Sequence, residues 1–331
     1  MLQLDRLRGN KNGCAANLRN RIAILIVACL IANVCFAAPR VIFDTDMGND
    51  IDDALALAML HALSDRGECE LIGVTLTNAN PSAVPYIRMI NRFYGRGDLP
   101  VGAAIKALKD GADDGYMKAA LSTAPAVPSS PAEMAPALLR RLLSNAPEKV
   151  IIVQTGFSTN LAALLDSPDG AALVKEKVAL LVVMAGNFAG GDPEYNVRID
   201  AASAKTVFEH WPTPIIFSGF EIGLNLLYPA ASIEHDFSYA HPHPIAESYR
   251  AYMKMPYDRP AWDLTAALEA VRPHHGYFNL SDPGTVHVDP DGSTHFAPGQ
   301  GDRRYLRLEP SKHAEIIEAL TLLASQPPAR R

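Results

Sequence analysis

The sequence predicts an α/β fold in which a mostly parallel central sheet is covered by helices on both faces. Nearly continuous apolar runs, such as Val150–Thr155 and Val178–Met184, are typical of strands buried on both sides. Helical stretches follow these runs, and strand and helix alternate over roughly 180 residues, which indicates βαβ units. The 331 residues are 48% hydrophobic and 20% charged, an ordinary globular composition that excludes a disordered or fibrous chain.

The individual elements follow from the local pattern in chain order. Apolar runs predict strands at Arg40–Phe43, Leu71–Thr77, Leu99–Gly102, Val150–Thr155, Val178–Met184 and Pro214–Ser218. Amphipathic or helix-forming segments predict helices at Ile51–Leu63, Val84–Tyr94, Leu161–Leu165 and Ala201–His210. This alternation is typical of a Rossmann-like sheet.

Three segments interrupt the alternation. Lys109–Pro136 is rich in Asp, Gly, Ala, Ser and Pro, which predicts an insertion at the surface. Ser232–Pro244 is predicted to be a proline-broken loop that carries three histidines. Phe278–Leu308 is predicted to add C-terminal β-hairpins, with turns at residues 282–284 and 291–292.

The first 37 residues are predicted to be a secretory signal peptide. Arg19 and Arg21 precede an apolar run of about 15 residues, shorter than the ~20 residues of a membrane span. The run ends in Cys35-Phe36-Ala37, with small residues at the −3 and −1 positions of a cleavage site. An uncleaved anchor and a lipoprotein signal at residues 26–29 are the alternatives. Cleavage would leave residues 38–331 as one periplasmic or secreted domain without a stable membrane span.

Charge and cysteine content narrow the class of function. The formal net charge is −6, and the leader contains five basic residues and one acid, so the exported domain would be more acidic still. Binding to a nucleic acid polymer is therefore not expected. Three of the four cysteines lie in the leader and leave only Cys69, so no intrachain disulfide is expected.

The most informative segment is Asp44–Asp53, DTDMGNDIDD, which holds five carboxylates between a predicted strand and a predicted helix. Sites in open α/β sheets form at the carboxyl ends of the strands. The clustered anions repel one another, so a bound hard cation such as Ca²⁺ or Mg²⁺ is the simplest explanation. A calcium helix-loop-helix is excluded because Leu55 stands where the bidentate Glu would be. A solvated acidic loop is the alternative.

This segment resembles the signature of the inosine–uridine-preferring nucleoside hydrolases, which is a strand followed by D-T-D-x-G-x-D-D-A. Two extra residues separate the halves Asp44–Gly48 and Asp52–Ala54, a departure that is found in a divergent branch. Further matches follow in the family's order over roughly residues 40–275. They are Gly73–Asn80, the turn Gln154–Leu161, Met184–Gly186, Glu194–Asn196 with Asp200, and Trp262-Asp263 in place of the family's His-Asp.

The resemblance implies calcium-dependent hydrolysis of the N-glycosidic bond of ribonucleosides or a related N-riboside, in purine or pyrimidine salvage. The implied Ca²⁺ ligands are the side chains of Asp46, Asp53 and Asp263 and the carbonyl of Thr155. The implied sugar contacts are Asp52, Asn80, Glu194 and Asn196, with Met184 below the ring. Asp46 would also be the general base. The family is commonly dimeric or tetrameric, so a homo-oligomer is implied.

The residue types suit this chemistry. Cleavage of a ribosyl C–N bond builds oxocarbenium character, which a carboxylate-rich floor stabilises. Glu194 and Asn196, at i and i+2, would point the same way on an extended segment. The alternative for this pair is a loop whose side chains bind their own backbone.

Trp262 is the important departure from the family. A His in this position is near the departing base in much of the family, whereas Trp has no titratable proton near neutral pH. Trp262 either stacks on a base or packs in the core. The sequence offers five other candidates for a general acid, namely Tyr257, Asp258, Arg259, His241 and His243.

Two other functions fit parts of the pattern. A non-catalytic ribose or nucleoside binder of the same fold would explain Trp262, although pure binding does not need Asp46 as a base. A phosphatase with Asp44 as nucleophile would use the D-x-D pattern. That chemistry usually has Thr or Val where this chain has Gly48, and it does not explain Glu194–Asn196.

Overall fold

The computed structural model describes residues 38–108, 114–123, 125 and 130–329, and the predicted signal peptide lies outside them. The strands are β1 (Arg40–Thr45), β2 (Glu70–Leu76), β3 (Val101–Ala103), β4 (Glu133–Met134), β5 (Val150–Gln154), β6 (Val178–Met184), β7 (Ile215–Ser218), β8 (Leu227–Tyr228), β9 (Arg259–Pro260), β10 (Asn279–Leu280), β11 (Gly284–Val288), β12 (Thr294–Pro298) and β13 (Arg303–Arg307). The helices are α1 (Asp52–Asp65), α2 (Ala83–Phe93), α3 (Gly115–Ser122), α4 (Ala135–Asn145), α5 (Thr159–Asp166), α6 (Gly170–Lys177), α7 (Tyr195–Ile199), α8 (Ala201–His210), α9 (Phe220–Leu224), α10 (Ala230–His235), α11 (Pro244–Tyr252), α12 (Trp262–Val271) and α13 (His313–Ala324).

The central sheet has the strand order β12-β11-β13-β7-β6-β5-β1-β2-β3-β4. All neighbours from β13 to β4 run parallel, while β11 and β12 are antiparallel additions at one edge and β10 pairs with β13. The predicted fold, a mostly parallel sheet with C-terminal β-hairpin strands, is confirmed. β8 and β9 form a separate two-stranded sheet.

Alternate residues of the central strands enter two different cores. In β1, Val41 and Phe43 pack with α1 and α12, whereas Ile42 packs with α5 and α8. Successive side chains of a strand point to opposite faces, so the two cores lie on opposite sides of the sheet. The helices therefore cover both faces, which explains why the central strands are apolar throughout.

Helix α1 lies inside the protein rather than on its surface. Twelve of its 14 residues are buried, and α12 and α13 pack against it. Its sequence is dominated by Ala and Leu, which are strong helix formers and leave no polar face to expose. The aspartate loop at its N-terminus is thereby attached to the core.

The structure differs from the sequence prediction in segments that pack through distant contacts. Lys109–Pro136 was predicted to be an insertion, yet within its described part Tyr116 and Met117 of α3 are buried, and α3 packs against α11. The predicted turn at residues 282–284 does not close a hairpin, because β10 pairs with β13. The turn at residues 291–292 does join β11 to β12. In Ser232–Pro244, the first residues belong to α10.

Among the described residues, none of the helices combines the length and the apolar character that crossing a membrane requires.

Candidate active site

The carboxyl ends of the central parallel strands meet above one cavity of about 260 Å³. Asp46 follows β1, Thr155 follows β5 and Met184 ends β6. The predicted site residues that line this cavity are Asp46, Asp52, Asp53, Thr155, Met184, Glu194, Asn196, Trp262 and Asp263. The other lining residues are Asn49, Asp50, Tyr195, Phe220, Tyr252 and Arg259.

Three buried carboxylates meet in this cavity. Asp52, Asp53 and Asp263 each offer an oxygen, and these oxygens lie within 4.8 Å of one another. Burial raises the pKa of Asp53 to about 6, and burial with the neighbouring carboxylates raises the pKa of Asp52 and of Asp263. Negative charges held this closely require compensation, which a cation between them would supply.

Local hydrogen bonds and helix ends hold the three carboxylates in place. Asp53 Oδ1 accepts hydrogen bonds from Thr45 Oγ1 and, at 3.2 Å, from Thr155 Oγ1. The backbone N–H of Asp263 donates to Asp52 Oδ2 at 3.1 Å. Asp52 and Asp53 lie in the first turn of α1, and Asp263 lies in the first turn of α12. The partial positive charge of both helix N-termini therefore favours the anions.

Asp46 contributes a fourth carboxylate, and one of its oxygens has no partner. Its side chain is 3% exposed, and Oδ2 has no hydrogen-bond donor among the described residues. Burial and the charges of Asp53 and Asp52 raise the pKa of Asp46. An unpartnered buried carboxylate oxygen is costly unless a cation or a donor meets it. The carboxylates and the Thr155 carbonyl thus fit a hard metal ion.

Glu194 and Asn196 line the cavity, but the expectation that they share an extended segment is wrong. Glu194 is the N-cap of α7, and its carboxylate accepts from the N–H groups of Asn196 at 2.7 Å and of Gly186 at 3.2 Å. Asn196 Nδ2 donates to the carbonyls of Thr155 at 2.8 Å and Met184 at 3.1 Å. Burial raises the pKa of Glu194 to about 7. Glu194 thus binds the backbone of its own segment, Asn196 binds carbonyls next to β5 and at the end of β6, and both residues line the cavity.

Asn80 is the one predicted site residue that does not line the cavity. Its side-chain oxygen accepts from the N–H of Ser82 at 2.9 Å. The amide of Asn78 instead donates to the carbonyl of Asp46 at 3.4 Å. In this structure Asn78, which the sequence analysis did not single out, supports the aspartate loop.

Trp262 forms one wall of the cavity and also packs against the core. Its indole N–H donates to the carbonyl of Phe220 at 2.9 Å, and the two rings stack with centroids 5.5 Å apart. Gly223 permits this approach, because a Cβ at that position would lie 2.3 Å from Trp262 Cδ1. Trp262 therefore packs against the core with its N–H engaged, and stacking on a base stays a prediction.

The loop histidines and two upstream residues are not placed as general acids. His243 is 1% exposed, its Nδ1 accepts from the N–H of Ile245, and burial lowers its pKa to about 3. His241, Tyr257 and Asp258 do not line the cavity either. The Tyr257 hydroxyl donates to a backbone carbonyl, and Asp258 accepts from a backbone N–H. Of the five candidates, Arg259 lines the cavity.

Asp44 is not available as a nucleophile. It is fully buried and accepts hydrogen bonds from Thr75 Oγ1 at 2.6 Å, Asn160 Nδ2 at 2.8 Å and Gln154 Nε2 at 3.3 Å. Burial raises its pKa to about 6. Asp44 therefore supports the strand ends, and the phosphatase interpretation has no attacking group.

Two cavity residues, Asp50 and Arg259, form an ion pair that sequence reasoning did not find. Asp50 lies between the two halves of the aspartate loop that match the family signature, where this chain has two extra residues. The two extra residues mark this part of the loop as unusual. They give no indication that Asp50 pairs with Arg259, which lies 209 positions further along the chain.

Comparisons with known proteins agree with this geometry. The family model described as inosine-uridine preferring nucleoside hydrolase matches residues 41–320. The pyrimidine-specific ribonucleoside hydrolase RihA of Citrobacter koseri is 32% identical over 200 residues, which cover 55% of this chain and 60% of that protein. The chain thus spans 60–64% of the length of the curated relatives it matches.

Solved structures share the fold. An inosine-uridine preferring nucleoside hydrolase from Bacillus anthracis matches with a TM-score of 0.70 at 18% identity, over 87% of this chain and 99% of that one. A purine-preferring ribonucleoside hydrolase from Gardnerella vaginalis matches with a TM-score of 0.68 at 19% identity, over 86% and 99%. From the family match and this shared fold, the chain belongs to the inosine-uridine preferring nucleoside hydrolase family.

Proposed function

We propose that the protein hydrolyses the N-glycosidic bond of ribonucleosides or related N-ribosides and that it uses one Ca²⁺. The observation that carries the proposal is the buried, unpartnered Oδ2 of Asp46 in a cavity that it shares with five other carboxylates, among them the cluster of Asp52, Asp53 and Asp263. Membership of the nucleoside hydrolase family supports the reaction class. RihA relatives are named as pyrimidine-specific. An assay on a panel of nucleosides, described below, measures the base preference of this chain.

The metal ligands in this proposal are the side chains of Asp46, Asp53 and Asp263 and the carbonyl of Thr155. All donors are oxygens, which favours Ca²⁺ over a softer ion. When bound, the cation would supply positive charge that orients the sugar hydroxyls and makes a water molecule easier to deprotonate.

The remaining lining residues supply polar groups for a sugar and aromatic surface for a base. Asp52, Glu194 and Asn196 offer hydrogen-bond partners for ribose hydroxyls, and Met184 supplies an apolar surface. Phe220 and Trp262 provide aromatic surface for a base.

Asp46 is the general base in this proposal. Its free oxygen needs only hydrogen-bond reach to the attacking water to take the proton. The surrounding carboxylates stabilise the positive charge that develops on the sugar as the C–N bond breaks.

The test is a reducing-sugar assay on a panel of nucleosides with purified mature protein and added Ca²⁺. Asp46→Asn keeps an oxygen for the metal but cannot take a proton, so turnover should fall by about 10²–10⁴-fold while ribose binding survives. Asp98→Asn changes an exposed acid and serves as the matched control. Unchanged turnover in Asp46→Asn would show that the base is misassigned.

The same assay distinguishes the enzyme from a binder. Trp262 has no free N–H for the leaving group, which is the observation that favours a non-catalytic nucleoside binder. A wild-type protein that binds ribose analogues and releases no sugar from any substrate would establish the binder.

We also propose that the protein acts after export, in the periplasm or outside the cell, and contributes to nucleoside salvage there. The support is the leader-like pattern of residues 1–37. A homo-oligomer, implied by the family, stays a prediction.

A further inference from the structure

The Arg259–Asp50 ion pair in the cavity wall has no part in the proposed metal or sugar binding. Arg259 Nε donates to Asp50 Oδ1 at 2.9 Å, and Arg259 Nη2 donates to Asp50 Oδ2. The side chains are 22% and 15% exposed. A two-pronged contact with this little exposure fixes the guanidinium in one orientation.

Two aromatic rings and a further hydrogen bond hold the same guanidinium. Its central carbon lies 5.2 Å from the ring centre of Tyr252 and 5.5 Å from that of Trp262, distances at which cations attract ring faces. Arg259 Nη2 also donates to the Tyr252 hydroxyl at 3.2 Å. Among the described residues, no hydrogen bond occupies Nη1. Arg259 thus lines the cavity with one nitrogen available for a ligand.

The partner Asp50 is itself anchored. The Tyr116 hydroxyl donates to the carbonyl of Asp50 at 2.8 Å and accepts from the N–H of Gly48 at 2.9 Å. Helix α3 therefore holds the aspartate loop where its two-residue departure from the family pattern lies. Both partners of the ion pair are therefore held in place by further contacts.

The position of the pair points to the leaving base. Arg259 contacts the rings of Tyr252 and Trp262, and Trp262 is one of the two rings assigned to the base, so the guanidinium lies beside the aromatic surface of the cavity. Burial lowers the pKa of Arg259, but the hydrogen bonds and charge of Asp50 outweigh burial and raise it above the ordinary value. The group therefore stays charged and does not act as a proton donor.

We propose that Arg259, oriented by Asp50, stabilises the departing base as a permanently charged hydrogen-bond donor. This inference rests on the proposed hydrolase function. It names the group that helps the base to leave in a chain where Trp262 stands in place of the family's His. In the reaction the C–N bond breaks and its electron pair goes to the base, while the water oxygen bonds to the sugar carbon and its proton passes to Asp46. The base leaves as an anion held by the guanidinium and takes a proton from solvent.

The inference also predicts a substrate class. A fixed positive donor gives most help to a base that carries its charge on an accessible carbonyl oxygen, and no help where protonation of a ring nitrogen is required. Cleavage of N-ribosides of oxo-substituted bases should therefore depend on Arg259 more strongly than cleavage of those of amino-substituted purines.

The experiment compares substrates with different leaving groups. Arg259→Gln is assayed with Ca²⁺ on uridine, inosine and p-nitrophenyl ribofuranoside, whose leaving group departs without help. Loss of one donor at a developing anion costs about 10²–10³-fold, so kcat/KM on uridine should fall by about that factor. The nitrophenyl substrate should lose less than about tenfold, because its leaving group has little need of the charge. Arg250→Gln, in the exposed ion pair with Glu247, is the matched control.

Two further variants protect the test against misfolding. Arg259→Gln leaves a mostly buried Asp50 unpaired, which is destabilising, so the double variant Arg259→Gln/Asp50→Asn is measured alongside it. Arg259→Lys keeps the positive charge but loses the planar, two-pronged donor geometry of the guanidinium, and it should recover part of the activity on uridine. Melting temperatures of all variants establish that each is folded.

The outcomes are distinct. Equal loss on uridine and on the nitrophenyl substrate, in either folded variant, would show that Arg259 only supports the cavity, and the inference would be overturned. If the wild type cleaves none of the three substrates, the proposed hydrolase function itself fails, and the inference fails with it. Wild-type cleavage of the nitrophenyl substrate secures the function and leaves the substrate ratio to decide the role of Arg259.

Discussion

His243 predicts a pH-dependent loss of stability that does not involve the cavity. Its imidazole is 1% exposed, and it caps α11 by accepting from the N–H of Ile245 at 3.2 Å. The ring centres of Phe93 and Phe237 lie 4.5 and 4.8 Å away. Burial, with smaller contributions from Arg250 and His241, lowers the pKa of His243 to about 3.

The sign and size of the effect follow from proton linkage. In the unfolded chain His243 takes up a proton near pH 6.5, whereas in the folded chain it stays neutral down to about pH 3. Its contribution to stability is therefore complete above pH 6.5 and is lost as the pH falls toward 3. At ~1.4 kcal/mol per unit of pKa shift, the loss between pH 8 and pH 5 is about 2 kcal/mol.

The assay is equilibrium unfolding in urea at pH 8 and pH 5, for the wild type and His243→Asn. Asn keeps an acceptor for the N-cap and does not titrate, so the free-energy difference between the two proteins isolates the histidine. The variant is less stable at pH 8 because ring packing is lost, and the gap should shrink by about 2 kcal/mol at pH 5. The exposed His235→Asn is the control. A gap that is the same at both pH values would refute the reasoning.

Three further predictions concern the metal, the aspartate loop and the leader. Calorimetry should show one Ca²⁺ per chain with a raised melting temperature, and Asp53→Ala should abolish the uptake. A Cβ in Gly156→Ala would lie 2.5 Å from the Asp46 amide nitrogen and 2.3 Å from Thr77 Oγ1. The loop must therefore shift, and kcat should fall at least about tenfold in steady-state kinetics, because a displacement of ~1 Å at a reacting group is sufficient for such losses. N-terminal sequencing of the exported protein should begin at Ala38.

Each of these predictions has a matched comparison. Asp98→Ala removes an exposed acid and should leave Ca²⁺ uptake unchanged. Gly97→Ala places its Cβ at an ordinary 3.8 Å from its nearest neighbour and should leave kcat unchanged. Full Ca²⁺ uptake by Asp53→Ala, wild-type kcat in Gly156→Ala, or an intact Met1 on cytoplasmic protein would each contradict the corresponding prediction.

The regular part of the fold was readable from the sequence because its signals are local. Val178–Met184 and Ala201–His210 were predicted with the bounds that β6 and α8 have in the structure. An apolar run buried on both faces and a helix begun by the capping side chain of Asp200 need no distant contact to be recognised. Helix α4 also has a local signal, since Pro136 stands in its first turn.

The parts that were missed depend on contacts between distant segments. Helix α3 is held by packing against α11, and the segment around it has the composition of a loop. β10 pairs with β13 because the chain returns to it, which local turn residues do not reveal.

The candidate site was likewise predicted in part and missed in part. The resemblance predicted that Asp46, Asp53 and Asp263 hold a metal beside Asp52, and all four line one cavity, in which Asp52, Asp53 and Asp263 form a tight cluster. The capping role of Glu194 was not distinguished from an extended segment, because an acid just before a short helix has no distinctive pattern of its own.

The four buried carboxylates lower the stability of the metal-free chain, although the proposed activity depends on them. Asp46, Asp52, Asp53 and Asp263 are each between 1 and 4% exposed, and each must leave water when the chain folds. Substitution of any of them by a neutral residue of similar shape relieves that penalty in the metal-free chain and removes a group to which we assign a part in the proposed reaction. A library of this protein selected only for resistance to heat in the presence of a chelator would therefore accumulate changes in the cavity first, and its most robust members would be its least active.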